Sequence, residues 1–554
     1  MIPSGLNQTK GRVFERGILP LNLRMNVVRT DYARLDLWSH TDLAYLQHDP
    51  ALTPFLSYSP QASAIPDVLE ERKKYPTHRK LLAQTVARQY SQVGLPPPVS
   101  EDLLSRETTY TVTTAHQPAL LTGPLYHIYK IASTIHLARE IQKANQDLTI
   151  VPVFVIGGED HDWAEINHVH LFGRRYQWER EASGPCGRLT LEGLGDLLDT
   201  VGALFSNTRY GTEIQNLLGS ALGQATTYAQ FHHILIHHLF GQEGLVVLNM
   251  DDPELKRAFI PVMERELREQ FSNRLVPATQ TLLEKAGFKA QAFCRPINLF
   301  YMTPGIRERL DPIDEGILRV ESKAVVPLDQ VIEDLHQHPE RFSPNVILRP
   351  LYQETILPNL AYIGGGGEIA YWLERKSQFE YAGVHHPMLI RRNSLLLLED
   401  STIAQMTKAG LTNDDILMET DALIKSYVVR HSQGDTDYQK ELQHIQDAYT
   451  SLAEKSRLID PTLVSAIQAE GIKQVKQFEQ LGSRLLRAEK QAQETNIKRV
   501  QKIKEKLFPE NGLQERHDNF LPFYAQYGQG WIQDMISVCD PLDERFTLVE
   551  LQAQ

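Results

Sequence analysis

The chain has 554 residues, of which 42% are hydrophobic and 23% charged, and its formal net charge at pH 7 is −12. This length predicts about two to four domains, and the acidic balance excludes a general nucleic-acid-binding role, which needs a concentrated basic surface. No apolar run reaches the roughly 18 residues of a membrane helix, and three isolated cysteines indicate a reducing compartment. We therefore expect a soluble cytoplasmic protein with small-molecule or protein partners.

The N-terminal 24 residues are weakly patterned, and they lack the charged flank and apolar core of a signal peptide. The chain looks more ordinary from Met25 onward, so a translation start at Met25 is a hypothesis. From there to about residue 105 the pattern is mostly helical and ends at a run of three prolines, residues 96–98. We interpret this stretch as a helical start to a body that covers residues 25–400.

Residues 109–171 carry a strand, a helix and a second strand. Tyr110–Ala115 is β-branched and extended, a helix runs from Gly123–Pro124 to about Asn145, and Leu148–Ile156 has the pattern of a buried strand. Parallel strands joined by a helix form a right-handed crossover. Further strands at 245–250, 316–320 and 345–349, with insertions at 172–240 and 285–345, extend this α/β pattern. The predicted fold class is α/β with a doubly wound core.

After residue 400 the strand pattern disappears, and residues 401–512 are predicted to be helical. Tyr438–Ile459 is amphipathic, and a helix starting at Pro461 is expected to continue unbroken to Phe508, with apolar residues at steps of three or four. The two helices predict an antiparallel coiled-coil hairpin. Part of its apolar stripe needs the body or a second subunit as a partner. Residues 513–554 are too aromatic for a disordered tail and are expected to dock on the body.

Titratable side chains follow both strands of the first crossover. His116 ends the first strand, and Asp160, His161 and Asp162 follow the second. In open α/β sheets, ligands bind beyond the carboxyl ends of the strands, where histidine can act as a general acid, a general base or a donor to phosphate. The acidic cluster also has metal-ligand residue types, but its spacing matches no established zinc motif, so no metal site is predicted. A metal-dependent hydrolase or nucleotidyltransferase stays an alternative.

The second strong feature is a run of four glycines, residues 364–367, that enters a helix. Glycines permit positive φ and close backbone approach, so their N–H groups can hold a carboxylate or phosphate. The run matches neither the dinucleotide fingerprint nor the P-loop. Arg349, Arg391 and Arg392 lie at nearby strand or loop ends and can bind carboxylates bidentately.

Four motifs together resemble the bacillithiol biosynthesis family BshC. They are Ala115-His-Gln-Pro118, Thr122-Gly-Pro-Leu-Tyr126, Gly158-Glu-Asp-His-Asp162 with Glu165-Ile-Asn-His168, and Leu357-Pro-Asn359 through Glu368. The resemblance covers nearly the whole chain. It implies a Rossmann-like body related to class I nucleotidyltransferases, with connecting insertions, and a coiled coil that forms a homodimer.

The resemblance also implies a ligase that joins L-cysteine to glucosaminyl-malate through an amide bond. Amide formation from a free carboxylate needs activation, so ATP or ADP with Mg²⁺ are the candidate cofactors. The class I nucleotidyltransferases carry an H-x-G-H loop, where this chain has His116-Gln-Pro-Ala119. A scaffold that senses nucleotide and recruits partners through the coiled coil is a further alternative.

The resemblance assigns roles to the strand-end residues. His116 and His161 would stabilise the activated carboxyl group, and Asp160 or Asp162 would accept the proton of the glucosamine ammonium or bind sugar hydroxyls. The glycine turn and Arg391 would hold substrate carboxylates. The predicted substrate-binding residues are Gln117, Thr122, Gly123, Tyr126, Asn167, Arg349, Asn359, Gly365, Gly366, Glu368, Trp372 and Arg391.

Overall fold

A computed structural model describes residues 16–17, 25–432 and 438–552. The chain divides into two compact units: the first contains residues 37–397 and 514–554 together with residues up to 33, and the second contains residues 34–36 and 398–513. The predicted boundaries of the helical part were 401 and 512. Apart from residues 16–17, the predicted N-terminal extension lies outside the described residues.

The first unit is built on a five-stranded parallel sheet, whose strands we number β1 to β5. They are β1 (Thr109–His116), β2 (Thr149–Ile156), β3 (Val246–Asn249), β4 (Asn359–Gly364) and β5 (Met388–Arg391). Their order is β3-β2-β1-β4-β5, with every neighbouring pair parallel. This is the doubly wound order, in which the direction of strand addition reverses between β1 and β4. The predicted α/β core is confirmed.

Helices cover both faces of this sheet, which explains why its strands are continuous β-branched or apolar runs. The crossover helix Tyr126–Ala144 links β1 to β2 as predicted and is almost entirely buried. The other α-helices of this unit are His40–Leu46, Ile65–Arg72, Arg79–Gln92, Glu101–Ser105, Trp163–Ile166, Leu194–Leu204, Gly211–Gln224, Tyr228–Phe240, Pro253–Glu269, Phe271–Lys285, Leu328–Gln337, Arg349–Ile356, Gly366–Trp372, Lys376–Ala382, Leu521–Tyr527 and Gln529–Val538.

Two of the predicted strands do not belong to the parallel sheet of the first unit. Residues 316–319 do form a strand, but in a separate antiparallel sheet whose order is Val325–Val326, Gly316–Arg319, Ile306–Ile313, Leu299–Thr303 and Phe342–Pro344. The strand predicted at 345–349 is wrong, because Arg349 N–H donates to the carbonyl of Asn345 at 2.8 Å and begins a helix. Pro350 favours that start, since proline is tolerated in the first helical turn. A small hairpin, His168–Leu171 with Arg174–Gln177, spans the start of the other predicted insertion, residues 172–240.

The C-terminal residues 514–552 belong to the first unit. Their strand Phe546–Leu551 pairs antiparallel with Met25–Thr30 in a third sheet that also contains Arg16–Gly17 and Leu395–Glu399. The helix Gln529–Val538 packs on the crossover helix, where His136 Nδ1 contacts the carbonyl of Ile536 at 2.8 Å. The C-terminal segment thus packs on the crossover helix and adds a strand to the third sheet.

The second unit is helical. Its helices are Asp400–Ala409, Asn413–Leu417, Thr420–His431, Gln439–Ile459, Leu463–Ala492 and Glu494–Leu507. The predicted coiled-coil hairpin is present, with Gly471 packed against the ring of Tyr449. The prediction of one unbroken helix to Phe508 is wrong, because the helix breaks at Gln493 and the last segment buries Val500, Ile503 and Leu507 against other helices. Within the described ranges, no helix combines the length and the hydropathy that a membrane span requires.

Candidate active site

A cavity of about 440 Å³ opens at the carboxyl ends of β1, β2 and β4. It lies at the point where strand order reverses, which is where open α/β sheets bind their ligands. Seven predicted site residues line it: His116, Gln117, Tyr126, Asp160, Arg349, Gly365 and Glu368. The lining also includes Ala115, Gly157, Glu165, Pro344, Asn345, Val346, Gly367, Tyr371, Arg392 and Arg516. We call this cavity the cleft.

His116 contacts polar groups through both ring nitrogens. Its Nδ1 lies 3.0 Å from the carbonyl of Gln117, which can only accept, so Nδ1 carries the proton and Nε2 accepts from the hydroxyl of Tyr126 at 2.8 Å. Burial and the charge of Lys130 lower the pKa of His116 to about 4. Burial raises the pKa of Tyr126 to about 12. At neutral pH the pair is therefore an uncharged imidazole and a protonated phenol.

A buried ion pair lies beneath the cleft. Lys130 is 1% exposed and donates to the carbonyl of Ala115 at 2.5 Å and to both carboxylate oxygens of Glu368 at 2.9 and 2.8 Å. Burial alone would raise the pKa of Glu368, but Lys130 and the N–H of Gly365 lower it to about 2. Glu368 is thus ionised and fixes the glycine turn. Sequence reasoning missed Lys130, although a lone lysine within the apolar stretch of the crossover helix was a detectable signal.

The glycine turn differs from its prediction. All four glycines are described, and none has a positive φ. The N–H of Gly365 donates to Glu368 at 2.9 Å, so this part of the predicted anion cradle already holds the protein's own carboxylate. A Cβ on Gly366 would overlap the carboxylate of Asp42, whereas a Cβ on Gly367 would meet no described atom within 4 Å. Gly366 therefore allows close packing, and Gly367 keeps the cleft open.

The loop after β2 is held by a residue from the antiparallel sheet. The Arg307 guanidinium lies 3.4 Å from Asp160 Oδ1 and donates to His161 Nδ1 at 2.9 Å, and its Cζ lies over the Phe300 ring, 3.9 Å from the centroid. Gln117 donates to the second oxygen of Asp160 at 2.9 Å. Burial and the Arg307 charge lower the pKa of His161.

Arg307 places a positive charge next to Asp160 and His161 in the acidic loop. In the described part of the chain, no group of three or more His, Cys, Asp or Glu side chains is placed to hold a metal ion. His161 and Asp162 are exposed and lie outside the described lining of the cleft. Only Asp160 of the predicted acidic loop faces the cleft, and the metal-dependent alternative gains no support from this geometry.

The arginines are arranged differently from the prediction. Arg349 lines the cleft and donates to the hydroxyl of Tyr371 at 2.9 Å. Burial by itself would lower the pKa of Arg349, but Tyr371 and other nearby acidic groups outweigh burial and raise that pKa. Arg391 instead lies in the interior, where it pairs with Asp42 at 3.1 Å. Its guanidinium is satisfied there, which corrects the expectation that it holds substrate carboxylates.

Other predicted ligands have structural contacts away from the cleft. Asn359 lies at the opposite end of β4 and donates to Glu354 at 3.0 Å. Trp372 is fully buried and stacks on Tyr362 with ring centroids 4.5 Å apart. Five predicted residues are buried and lie outside the described lining of the cleft, so we remove them from the set of candidate ligands. They are Thr122, Asn167, Asn359, Gly366 and Trp372. Gly123 also lies outside it, in a left-handed turn.

Sequence reasoning missed several cleft residues. Glu165, Asn345, Tyr371 and Arg516 all line it. Glu165 stands within a motif that was quoted, so its proximity to Asp160 was a usable signal. The sequence gives no signal that Arg516 belongs to the cleft, because this residue follows the helical unit by a few residues and is more than 100 residues from any other lining residue.

Two family models match the chain. One is described as bacillithiol biosynthesis BshC, N-terminal Rossmann-like domain, and matches residues 25–393; the other, the C-terminal coiled-coil domain of BshC, matches residues 395–551. A protein of Flavobacterium johnsoniae is 35% identical over 487 residues, covering 87% of this chain and 92% of its own. One of Christiangramia forsetii is 35% identical over 534 residues, covering 94% and 98%. Both are named as candidate cysteine ligases of the BshC type.

Proposed function

Because the chain belongs to the BshC family of bacillithiol biosynthesis, we propose that it is a cysteine ligase that joins L-cysteine to the amine of glucosaminyl-malate through an amide bond. One observation carries the proposal: the two family models together match nearly the whole chain, residues 25–393 and 395–551. The cleft at the switch point of the sheet supports it, since it offers both cationic and anionic groups to a charged substrate.

The groups of the cleft suit the chemistry of amide formation. The glucosamine nitrogen must lose a proton before it can attack, and Asp160, one of three carboxylates in the lining, is held in place by Gln117 and Arg307 to accept it. The neutral pair of His116 and Tyr126 supplies hydrogen bonds without adding charge. Arg349 provides a permanent cation for an oxyanion. On this proposal the protein acts mainly by positioning and by charge stabilisation.

We propose ATP or ADP with Mg²⁺ as the cofactor, which would supply an acyl-adenylate or acyl-phosphate of cysteine. The donor set fits such a group: the Arg349 guanidinium for a phosphate, and the carboxylates of Asp160 and Glu165 for a cation that arrives with it. Burial and the nearby Asp162 and Asp160 carboxylates raise the pKa of Glu165. A bound cation would oppose that shift.

The test is mass spectrometry of the purified full chain incubated with glucosaminyl-malate, cysteine and Mg-ATP. We expect bacillithiol together with a stoichiometric nucleotide product, AMP for an adenylate or ADP for an acyl-phosphate. Asp160→Asn is the variant expected to lose activity, and Asp162→Asn, outside the cleft lining, is its matched control. If no bacillithiol forms, even after cell extract is added, the ligase proposal is wrong and the nucleotide-sensing scaffold becomes the next hypothesis.

We also propose that the protein is a homodimer joined through the helical hairpin. Apolar side chains remain exposed along it within the second unit: Leu458 is 90% exposed, Ile472 61%, Leu481 57% and Leu485 47%. A periodic apolar stripe in water favours association with another helical surface. A second copy of the chain presents the same stripe.

A further inference from the structure

The short segment Gln514–Asn519 is anchored firmly in the first unit. Glu515 is fully buried and accepts hydrogen bonds from Arg392 Nη2 at 2.8 Å, Ser394 Oγ at 2.9 Å and the N–H of Leu395 at 3.1 Å. At the other end, Asn519 donates to the carbonyls of Leu121 and Gly123 at 2.8 and 2.6 Å. Since Arg516 lies between these two anchors, its backbone position at the cleft is fixed.

The side chain of Arg516 lines the cleft and forms no ion pair or hydrogen bond with any described residue. Its nearest carboxylate neighbour along the chain, Glu515, is already fully engaged by Arg392 and its neighbours. On this side of the cleft Glu515 therefore neutralises Arg392, and the charge of Arg516 has no carboxylate partner among the described residues. Arg516 is an exposed residue, and partial desolvation of its guanidinium together with the Arg392 charge lowers its pKa, an effect that a bound anion would oppose.

Two further polar atoms of the lining point to a ligand. Arg392 Nε and Gln117 Oε1 are buried, and neither has a hydrogen-bond partner among the described residues. Buried polar atoms are rarely left without a partner. A molecule that completes the cleft would therefore offer an acceptor to Arg392 and a donor to Gln117, in addition to negative charge near Arg516.

We propose that Arg516 and Arg392 Nε form a subsite for a carboxylate of the malate group of glucosaminyl-malate, with Gln117 Oε1 accepting a hydrogen bond from the same substrate. This inference rests on the proposed function. The carboxylate of cysteine becomes the amide and loses its charge during the reaction, whereas the malate carboxylates stay charged throughout. A permanent guanidinium subsite matches a group whose charge persists, and it leaves Arg349 to the oxyanion of the reacting carboxyl group.

The test compares the full-length wild type with Arg516→Gln by isothermal titration calorimetry against three probes: glucosaminyl-malate, methyl glucosaminide, which lacks malate, and Mg-ADP. We expect Arg516→Gln to weaken glucosaminyl-malate binding by about 10- to 100-fold, the effect of removing one charged hydrogen-bonding partner. Affinity for the other two probes should not change. Arg516→Lys, which keeps the charge but loses the planar fork, should give a smaller loss.

Arg106→Gln is the matched control, because Arg106 is 56% exposed, pairs only with Asp102 in the described structure and lies outside the cleft lining. Thermal melts of all variants check folding. Unchanged glucosaminyl-malate affinity in Arg516→Gln would overturn the subsite, and a loss confined to Mg-ADP would assign it to phosphate instead. If the wild type itself does not bind glucosaminyl-malate, the proposed function fails rather than the assignment of Arg516.

Discussion

The cleft and the helical hairpin use charged residues in opposite ways. At the cleft, ion pairs join residues far apart in the chain and bury at least one partner almost completely, as in Lys130 with Glu368 and Arg392 with Glu515. In the hairpin region, pairs such as Lys473 with Glu470 join residues one helical turn apart and remain exposed. Removing one partner of a buried pair leaves an uncompensated charge, whereas an exposed pair contributes little. The comparison indicates that the cleft depends on tertiary structure and the hairpin on local pattern.

The sharpest test of this comparison is Lys130→Met beside Lys473→Met. We expect Lys130→Met to lower the free energy of unfolding by about 3–5 kcal/mol, because Glu368 loses its buried partner. The exposed control should change it by less than about 0.5 kcal/mol. Urea unfolding followed by circular dichroism measures both, and similar losses in the two variants would contradict the distinction.

A second test fills the cleft without disturbing the fold. Gly367→Leu places a side chain where a Cβ meets no described atom within 4 Å, so we expect bacillithiol formation to fall about 100-fold through displaced substrate. The melting temperature should stay close to that of the wild type. Gly219→Leu, at an exposed helical glycine with equally open surroundings, is the matched control. Full activity in Gly367→Leu would show that substrate binds elsewhere.

A third test uses pH. The folded-state pKa of His116 is lowered to about 4, so the unfolded chain binds a proton more readily, and stability is lost as pH falls from about 6.5 toward 4. Replacing His116 by Gln should reduce the stability lost between pH 7 and 4.5 by about 2 kcal/mol.

The contribution of Glu368 has a different pH window. Its depressed pKa of about 2 means that its stabilisation is lost only as pH falls below about 4.5, so it does not obscure the effect of His116. His444→Gln, at an exposed histidine of the hairpin, is the control for the substitution itself. If wild type and His116→Gln lose the same stability on acidification, His116 is not held neutral by its surroundings.

The smallest expected effect concerns the hairpin. Replacing Leu481 and Leu485 together by Ser should weaken dimerisation about tenfold or more, since each exposed leucine would bury apolar area against a second copy. Unfolding of the monomer should hardly change, because both side chains already face water. Sedimentation equilibrium measures the association, and a wild-type chain that is monomeric at all concentrations would exclude the dimer proposal.

Much of the cleft could be predicted from sequence, because β1, β2 and their crossover helix have strong local patterns that end in polar residues. His116 and Asp160 were found in this way, and both line the cleft. Arg391 was misassigned since nothing in its neighbourhood of the chain reveals that Asp42, 349 residues away, neutralises it. Trp372 was misassigned for the same kind of reason, because its sequence context does not show that it stacks on Tyr362.

The sequence by itself determined the elements whose information is local: the buried strands β1 to β3, the crossover helix and the helical hairpin. Only the tertiary structure decided the position of β4 beside β1, the reach of Arg307 from the antiparallel sheet, and the presence of Arg516 in the cleft. Hydrophobic periodicity specifies which face of an element is buried. It does not specify which distant element covers that face, and ion pairs that span hundreds of residues form only once the strand order is set.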